Sequence, residues 1–538
     1  MTNSIADIVD AEVLVVIGSN TTEAHPVIAL QMKAAVERHG ARLILIDPRR
    51  IELAQFAHLH LRHRPGTDVA LINGLANVIL SEGLENRAFI AERTEGFAAW
   101  AASVGEWTPA RTSDVSGVPA EVIVEAARLY ARARSASIFW AMGITQHAAG
   151  TDNVKALSNL ALLCAQVGRP GTGLNPLRGQ NNVQGACDMG GLPNVFSAYQ
   201  PVAHEDVRRR FAEGWGVPYE RLSPTPGLTV TEIMQAAIDG RVKGLFVLGE
   251  NPMLSDPNLH HVERALRSLE FLAVQDIFLN ETAQFADVVL PGVSFAEKTG
   301  TFTNTERRVQ MVRPALNVKQ GARADLDLLI ELARRVGGAW TYNGASDVFD
   351  EMARLTPSYA GLTHARLEAG GLQWPCPTPD HPGTPILHTQ RFTRGLGLFT
   401  SVTYRVPPEL PDEDYPLLLS TGRILFHWHG GTLSRRSPGL DSLAPEAEVE
   451  IHPQDAATWG VEDEVLVRVR SRRGAVVARA RLTRRSPPGT VFMTFHYAEA
   501  AANLLTIDAV DPVAKIPEYK VAAVAVEPVR EAVPSIVS

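Results

Sequence analysis

The chain has 538 residues, with 51 Lys and Arg against 59 Asp and Glu, a net charge of −8. That length implies about three or four domains of ordinary size, and that charge gives no support to a nucleic-acid role. Hydrophobic residues at 45%, charged residues at 20% and 35 prolines describe an α/β chain with many loops; no apolar run approaches the ~18 residues of a membrane span, and the start shows no signal-peptide charge and apolar core. Cys164, Cys187 and Cys376 are too few and too scattered for a disulfide framework, a zinc site or an iron–sulfur cluster, which points to a reducing compartment.

The first predicted unit is βαβ. Glu12 to Ile17 is an apolar strand stopped by Gly18-Ser19-Asn20, a helical pattern through Val27, Leu30 and Val36 ends at Gly40, and Arg42 to Ile46 is a second strand ending at Asp47. The turn is Gly-x-Asn, so the Gly-x-Gly-x-x-Gly dinucleotide fingerprint is absent. Asp47-Pro48-Arg49-Arg50 is either a turn with a local ion pair or an acid and bases placed for ribose and phosphate. Arg64-Pro65-Gly66-Thr67-Asp68 opens a helix over 69–80, where capping alone explains Asp68. A helix over 120–132 and a strand over 136–140 lead into Met142-Gly143-Ile144-Thr145-Gln146-His147, a glycine turn in which His147 reads as a solvated loop residue. A helix over 152–167 follows.

Gly173 to Gly190 then packs five side-chain amides, four glycines and one arginine, Arg178, into eighteen residues that fit neither helix nor strand period. Amides suit the edge of a heterocycle, and the planar Arg fork suits a carboxylate; a polar surface loop is the alternative. A second βαβ unit runs from Gly244 to Leu248, through a helix over 257–269, to Phe271–Val274. It repeats the turn as Gly249-x-Asn251 with an acid at Asp276, and the Gly-to-Asp separations are 29 and 27 residues, as expected of two related nucleotide sites. A short strand follows over 288–290, then a polar turn, Gly300 to Arg308, which reads as a surface network, a helix over 325–336 and an irregular connection over 359–392. Beyond Pro416, strands at 417–423, 464–470, 475–482 and 491–495 predict a β-barrel. His427-Trp428-His429 lacks the further ligands that a metal site needs, and no metal ligand is assigned.

These motifs together resemble the molybdenum- or tungsten-dependent formate dehydrogenases of the dimethyl-sulfoxide-reductase superfamily, most of all the catalytic subunit of the cytoplasmic, NAD-linked enzymes. The likeness covers nearly the whole chain, and Asn175-Pro176-Leu177-Arg178-Gly179-Gln180-Asn181-Asn182-Val183-Gln184-Gly185-Ala186-Cys187-Asp188-Met189-Gly190 is its most specific part. The resemblance implies an α/β fold with two Rossmann-like nucleotide-binding layers and a C-terminal double-psi-type barrel, divided at 1–180, 181–292, 293–395 and 396–538. It implies two molybdopterin guanine dinucleotides around Mo or W. Gly18, Asn20, Asp47, Arg49, Gly66 and Asp68 would hold one nucleotide, and Gly249, Asn251, Gln275 and Asp276 the other. Met142, Gly143, Thr145, Gln146 and Gln180 would lie along the pterins, with Thr421, Gly422, Arg423, His429, Thr432, Asn503 and Lys520 closing over them. Arg178 would pair with formate.

The family begins with a [4Fe–4S] domain, followed by a Cys or selenocysteine metal ligand and an adjacent His, none of which lies in this sequence. The chain is therefore expected to be the C-terminal portion of such an enzyme and incomplete as a catalyst alone. An NAD-linked flavin and iron–sulfur diaphorase partner is implied. A non-catalytic relative of the complex I large subunit and a nitrate-type oxidoreductase are the alternatives; a scaffold would have no need of the Arg178 fork.

Overall fold

A computed structural model describes residues 1–529, which fall into two compact units. The first comprises residues 1–177, 254–260 and everything described from 386 onward; the second comprises 178–253 and 261–385.

The first unit holds a five-stranded sheet in the order Leu59–Leu61, Arg42–Ile46, Val13–Ile17, Ala136–Trp140, Gly173–Pro176, all neighbours parallel. Parallel sheets are covered on both faces, so their central strands need no polar alternation. All five residues of Val13–Ile17 and of Ala136–Trp140 are accordingly buried. The chain steps outward from Val13–Ile17 to one side, then to the other through Ala136–Trp140, so the turns after Ile17 and Trp140 flank the switch point where such sheets bind ligands. Pro26 in its first turn and Gly40 (φ +75°) closing its last bound the helix Pro26–His39. Helix Asp68–Ser81 is apolar nearly all round and lies inside the unit, with Gly74 so close to Thr112 that a Cβ would sit 2.4 Å from its Oγ1. Trp100 is 1% exposed, its ring 4.7 Å from that of Phe399.

The same unit carries the expected barrel. Six strands close in the order Leu417–Gly422, Thr490–Thr494, Glu448–Ile451, Ala475–Leu482, Leu466–Arg470, Ala522–Pro528, the last pairing back with the first. Its alternating inward Val, Leu and Ala residues form one core with Tyr497 and Leu505.

In the second unit, Gly244–Leu248, Phe271–Asp276 and Val288–Pro291 form a parallel sheet, the predicted second layer. Val247, Leu272 and Val274 point into its core. The polar stretch Gly300 to Arg308 is no surface network: strands Gly300–Thr303 and Arg308–Val312 pair antiparallel, with Thr303, Glu306 and Arg307 buried at the bend. The connection predicted as irregular contributes Tyr359, Leu362, Leu367 and Cys376 to a further core, which explains how so few regular residues there stay ordered. Gly173 to Gly190 also departs from expectation. Residues 173–176 form the edge strand of the large sheet, and Val183–Asp188 is a helix.

Replacing Trp100 by Ala is expected to cost about 3–5 kcal/mol, because the ring fills space that its neighbours cannot collapse into. Urea unfolding of parent and variant reads this as a lower midpoint with an unchanged slope.

Candidate functional site

At the switch point of the large sheet two glycine turns touch. The Gly143 amide donates to the Gly18 carbonyl at 3.0 Å, and a Cβ on either residue would fall 2.6–2.7 Å from the other's backbone. Gly18 also takes φ +55°, where L side chains are rare. Asn20 accepts from the Thr22 hydroxyl at 3.2 Å, while its own Nδ2 is buried with no hydrogen-bond partner among the described residues. Asp47 is buried at the end of the second strand, and burial pushes its carboxyl up from the usual range although it accepts from the Arg49 amide at 2.9 Å.

The Arg49 guanidinium itself is turned to the barrel. It donates to both oxygens of Glu450 at 2.8 Å and lies 3.4 Å over the Phe492 ring. Phe492 in turn crowds Gly422, whose Cβ would sit 2.6 Å from the ring. Gly66 (φ +79°) meets Pro407 in the same way, at 2.5 Å.

The barrel end brings several predicted residues together. Arg423 Nη2 lies 3.9 Å from Met142 Sδ, the Lys520 ammonium donates to the Thr421 carbonyl at 2.7 Å, and the Thr421 hydroxyl donates to the Tyr519 carbonyl at 2.8 Å. The Tyr519 amide reaches the Gln146 carbonyl at 3.2 Å, just past Thr145. Three groups here carry or could carry positive charge while only partly open to water. Burial lowers Arg423 to about 10; burial and then Arg423 lower His429 to about 4; and the same two causes bring Lys520 to about 7 against the pull of Glu518 and Asp47. His429 has φ +45° and packs edge-on to Phe495. His427 does not join it: its ring nitrogens meet Ser434 Oγ and the Ala444 carbonyl. The Asn503 amide donates to the Leu254 and Ser255 carbonyls, leaving Oδ1 buried without a hydrogen-bond partner among the described residues. The Thr432 carbonyl accepts from Arg436.

Two sequence expectations are corrected nearby. Asp68 does not cap its helix; its carboxylate is buried and hydrogen-bonded to His63 Nε2 at 3.0 Å. His147 is not solvated but 4% exposed, with Nδ1 3.1 Å from Glu518 and Nε2 3.9 Å from Asp68. Burial opposes its charge, yet Glu518 and Asp68 more than offset this and raise it to about 9. The network borders a cavity of about 270 Å³ shared by Gly66, Tyr404 and Arg405, too small for a whole dinucleotide. Glu518 carried no motif signal; only its fold-level placement reveals it.

In the second unit, Arg178 is half-buried. Its Nε donates to Gln184 Oε1 at 3.1 Å and its amide to Thr305 Oγ1 at 3.2 Å; the Gln180 carbonyl meets the Val183 amide at 3.4 Å. Asn182 accepts from the Thr303 amide at 2.9 Å, and Gly185 is required there because a Cβ would lie 2.1 Å from Asn182 Oδ1. The duplicated turns are not equivalent. Gly249 takes φ +63° with nothing near its Cβ direction. Asn251 binds Glu281 and Thr282, and Asp276 accepts from the Ile277 amide and from Asn280, so both organise the turn over 276–282. Gln275 donates to the Arg323 carbonyl while its Oε1 is buried without a hydrogen-bond partner among the described residues.

A molybdopterin oxidoreductase model matches residues 1–335, and a molybdopterin dinucleotide-binding domain model matches 417–523. The chain is 49% identical to F420-dependent formate dehydrogenase 1 subunit alpha of Methanococcus maripaludis, over 98% of this chain and 78% of that one. It is 38% identical to formate dehydrogenase H of Escherichia coli, over 99% and 75%. The chain belongs to the molybdopterin oxidoreductase family. The solved acetylene hydratase from Pelobacter acetylenicus shares the fold, with a TM-score of 0.76 at 20% identity, covering 98% of this chain and 79% of that one.

The residues fit a molybdopterin. Arg423 and Lys520, with His429 held neutral beside Arg423, make a half-buried cationic recess that suits a phosphate-bearing anionic ligand, with Glu518 and Asp47 acting on Lys520 from within the fold. Asn20 Nδ2 and Asn503 Oδ1 offer a buried donor and acceptor, and Gly18 and Gly143 bring bare backbone to the switch point. Among the described residues no helix is long and apolar enough to cross a membrane, and no group of three or more His, Cys, Asp or Glu could hold a metal. The expected NAD-linked partner finds no support: the 49%-identical relatives are named F420-dependent.

The His147 pair sets a pH dependence. A histidine raised in the fold contributes stability that is fully present below its unfolded pKa near 6.5 and is lost as pH rises through about 9. His147→Gln should therefore cost on the order of 1–3 kcal/mol at pH 6, and the gap from the parent should narrow by pH 10. Urea titrations at the two pH values measure it.

Proposed function

We propose that this chain is the cofactor-bearing part of a formate dehydrogenase, oxidising formate to CO2 at a Mo or W centre held by two molybdopterin guanine dinucleotides. The observation that carries the reading is Arg178, a guanidinium fixed at Nε within an amide-rich stretch, in a chain 49% identical to formate dehydrogenase alpha subunits. When bound, the metal–pterin group supplies the two-electron redox change.

The chain's own residues bind and orient. Arg178 pairs with the formate carboxylate, and the charge-assisted fork fixes the direction of the C–H bond, so that orientation is settled before reaction. Arg423, Lys520 and neutral His429 meet the negative pterin and phosphate groups, with Met142, Gly143, Thr145, Gln146, Thr421, Gly422, Thr432 and Asn503 along them. Gly18, Asn20, Asp47, Gly66 and Asp68 surround one nucleotide, with Arg49 bracing that turn through Glu450. Gly249, Asn251, Gln275 and Asp276 shape the place of the other, and Gln180 lies beside Arg178 along the pterin. The four-part division at residues 180, 292 and 395 belongs to this assignment. The electrons pass to partner subunits, following the F420-linked relatives, in a cytoplasmic complex.

Arg178→Lys in the assembled enzyme should lower kcat/KM for formate by on the order of 10²-fold, because a point charge cannot reproduce the planar fork. Steady-state dye reduction measures it. Unchanged formate turnover, or nitrate reduction in place of formate oxidation, overturns the reading.

A further inference from the structure

The helix Val183–Asp188 places Gln184 near its start and Asp188 at its end, a single turn apart on the same face. Both are buried, at 5% and 0% exposure. Gln184 Nε2 donates to Asp188 Oδ1 at 2.7 Å and to the Tyr199 hydroxyl at 3.0 Å, and Gln184 Oε1 accepts from Arg178 Nε at 3.1 Å. The other carboxylate oxygen, Oδ2, accepts from the Tyr359 hydroxyl at 2.6 Å and from Trp374 Nε1 at 2.7 Å.

With Asp188 ionised, against a burial that pushes its carboxyl up from the usual range, the polarity of this chain of bonds is set from both ends. Indole Nε1–H and guanidinium Nε–H only donate, an ionised carboxylate only accepts, and an amide has donors on one terminus and an acceptor on the other. Trp374 therefore makes Oδ2 an acceptor. Asp188 then turns the NH2 of Gln184 toward itself, and the amide oxygen has to face Arg178. Rotating the amide by half a turn would set NH2 against Nε–H and oxygen against carboxylate, losing both bonds in a buried place.

We infer that Asp188, acting through Gln184, is a positioning residue that sets the orientation of the Arg178 guanidinium for its carboxylate substrate. The inference rests on the reading of Arg178 as the formate-pairing group. Neither Gln184 nor Asp188 needs to touch formate: their effect is the plane in which the fork is presented. A fork held this way presents the same face to each incoming carboxylate, whereas loss of the Gln184 bond opens further rotamers and costs entropy on binding.

The relay makes a prediction that a merely structural role does not, because its polarity can be broken and then restored. Asn at 188 can still accept from Tyr359 and Trp374 through its oxygen, but its NH2 then opposes that of Gln184. In Gln184→Glu with Asp188→Asn, the Asn NH2 donates to one Glu oxygen and the other accepts from Arg178, so every bond is remade. The cofactor-loaded enzyme carrying this chain is measured for formate KM and kcat, and for protection of Arg178 against phenylglyoxal by formate, read by mass spectrometry. Asp188→Asn and Gln184→Glu singly should raise KM at least 10-fold with a smaller change in kcat and should lose protection, while the double variant should return to within about 3-fold of the parent in KM. Single variants with parental KM and protection, or a double variant no better than the worse single one, overturn the relay. Should Asp188→Asn fail to fold, Tyr199→Phe reads the same relay: it removes the acceptor of the second Gln184 N–H and should raise KM about 3-fold, and no change overturns the proposal. Arg178→Lys run alongside separates the two levels. If it loses formate binding while Asp188→Asn keeps it, only the relay fails; if Arg178→Lys itself keeps formate KM, the formate reading fails.

Discussion

Two cations crowded into one half-buried recess are the constraint on which the first unit turns. Burial lowers Arg423, and burial followed by Arg423 lowers Lys520 against the pull of Glu518 and Asp47, while the Thr421 carbonyl and the Met142 thioether lie against the two cations. Crowding like charges away from water is costly, and an anionic ligand offsets that cost. Where the chain needs charge for architecture it pairs it: Arg49 with Glu450, and His147 with Glu518. Those two cations hold the fold through their acids, whereas in the proposed function Arg423 and Lys520 meet an anionic ligand.

The glycines sort by the same reasoning. Gly18 and Gly143 are small because two turns meet, and Gly185 because an amide side chain presses on it. Gly422 and Gly66 are small because a ring and a proline fill the space, which makes them packing positions beside the site. Gly249 needs only its positive φ. The two Gly-x-Asn turns look alike in sequence, yet one leaves a buried amide nitrogen without a hydrogen-bond partner among the described residues while the other spends its Asn and Asp on a local turn.

Much of the fold was legible. Arg42–Ile46, Ala136–Trp140 and Gly244–Leu248 have the bounds that their apolar runs predict; for the first two this is because a covered parallel strand is written as an uninterrupted run, whereas Gly244–Leu248 is an edge strand buried mainly at Val247. The stretch from Gly173 to Gly190 was not, since a four-residue edge strand and a six-residue helix are too short to show a period and depend on backbone pairing and on the hairpin at Thr303 and Thr305. His147 and Asp68 were misread for a different reason. Their partners, Glu518 and His63, lie 371 and 5 residues away, and neither pairing has a local signature that outweighs the commoner solvated or capping role. The residues proposed to meet the cofactor stand in recognisable motifs, but which of them brace the fold emerges only from their partners.

Conversion of 13C-formate by the assembled, cofactor-loaded enzyme tests the central claim most directly. Carbon-13 NMR should show formate replaced by 13C-labelled CO2 and bicarbonate, with one electron pair delivered to the acceptor for each formate consumed. Formate left unchanged by enzyme that carries its full complement of metal and guanine–pterin, and that turns over a different substrate, would contradict it.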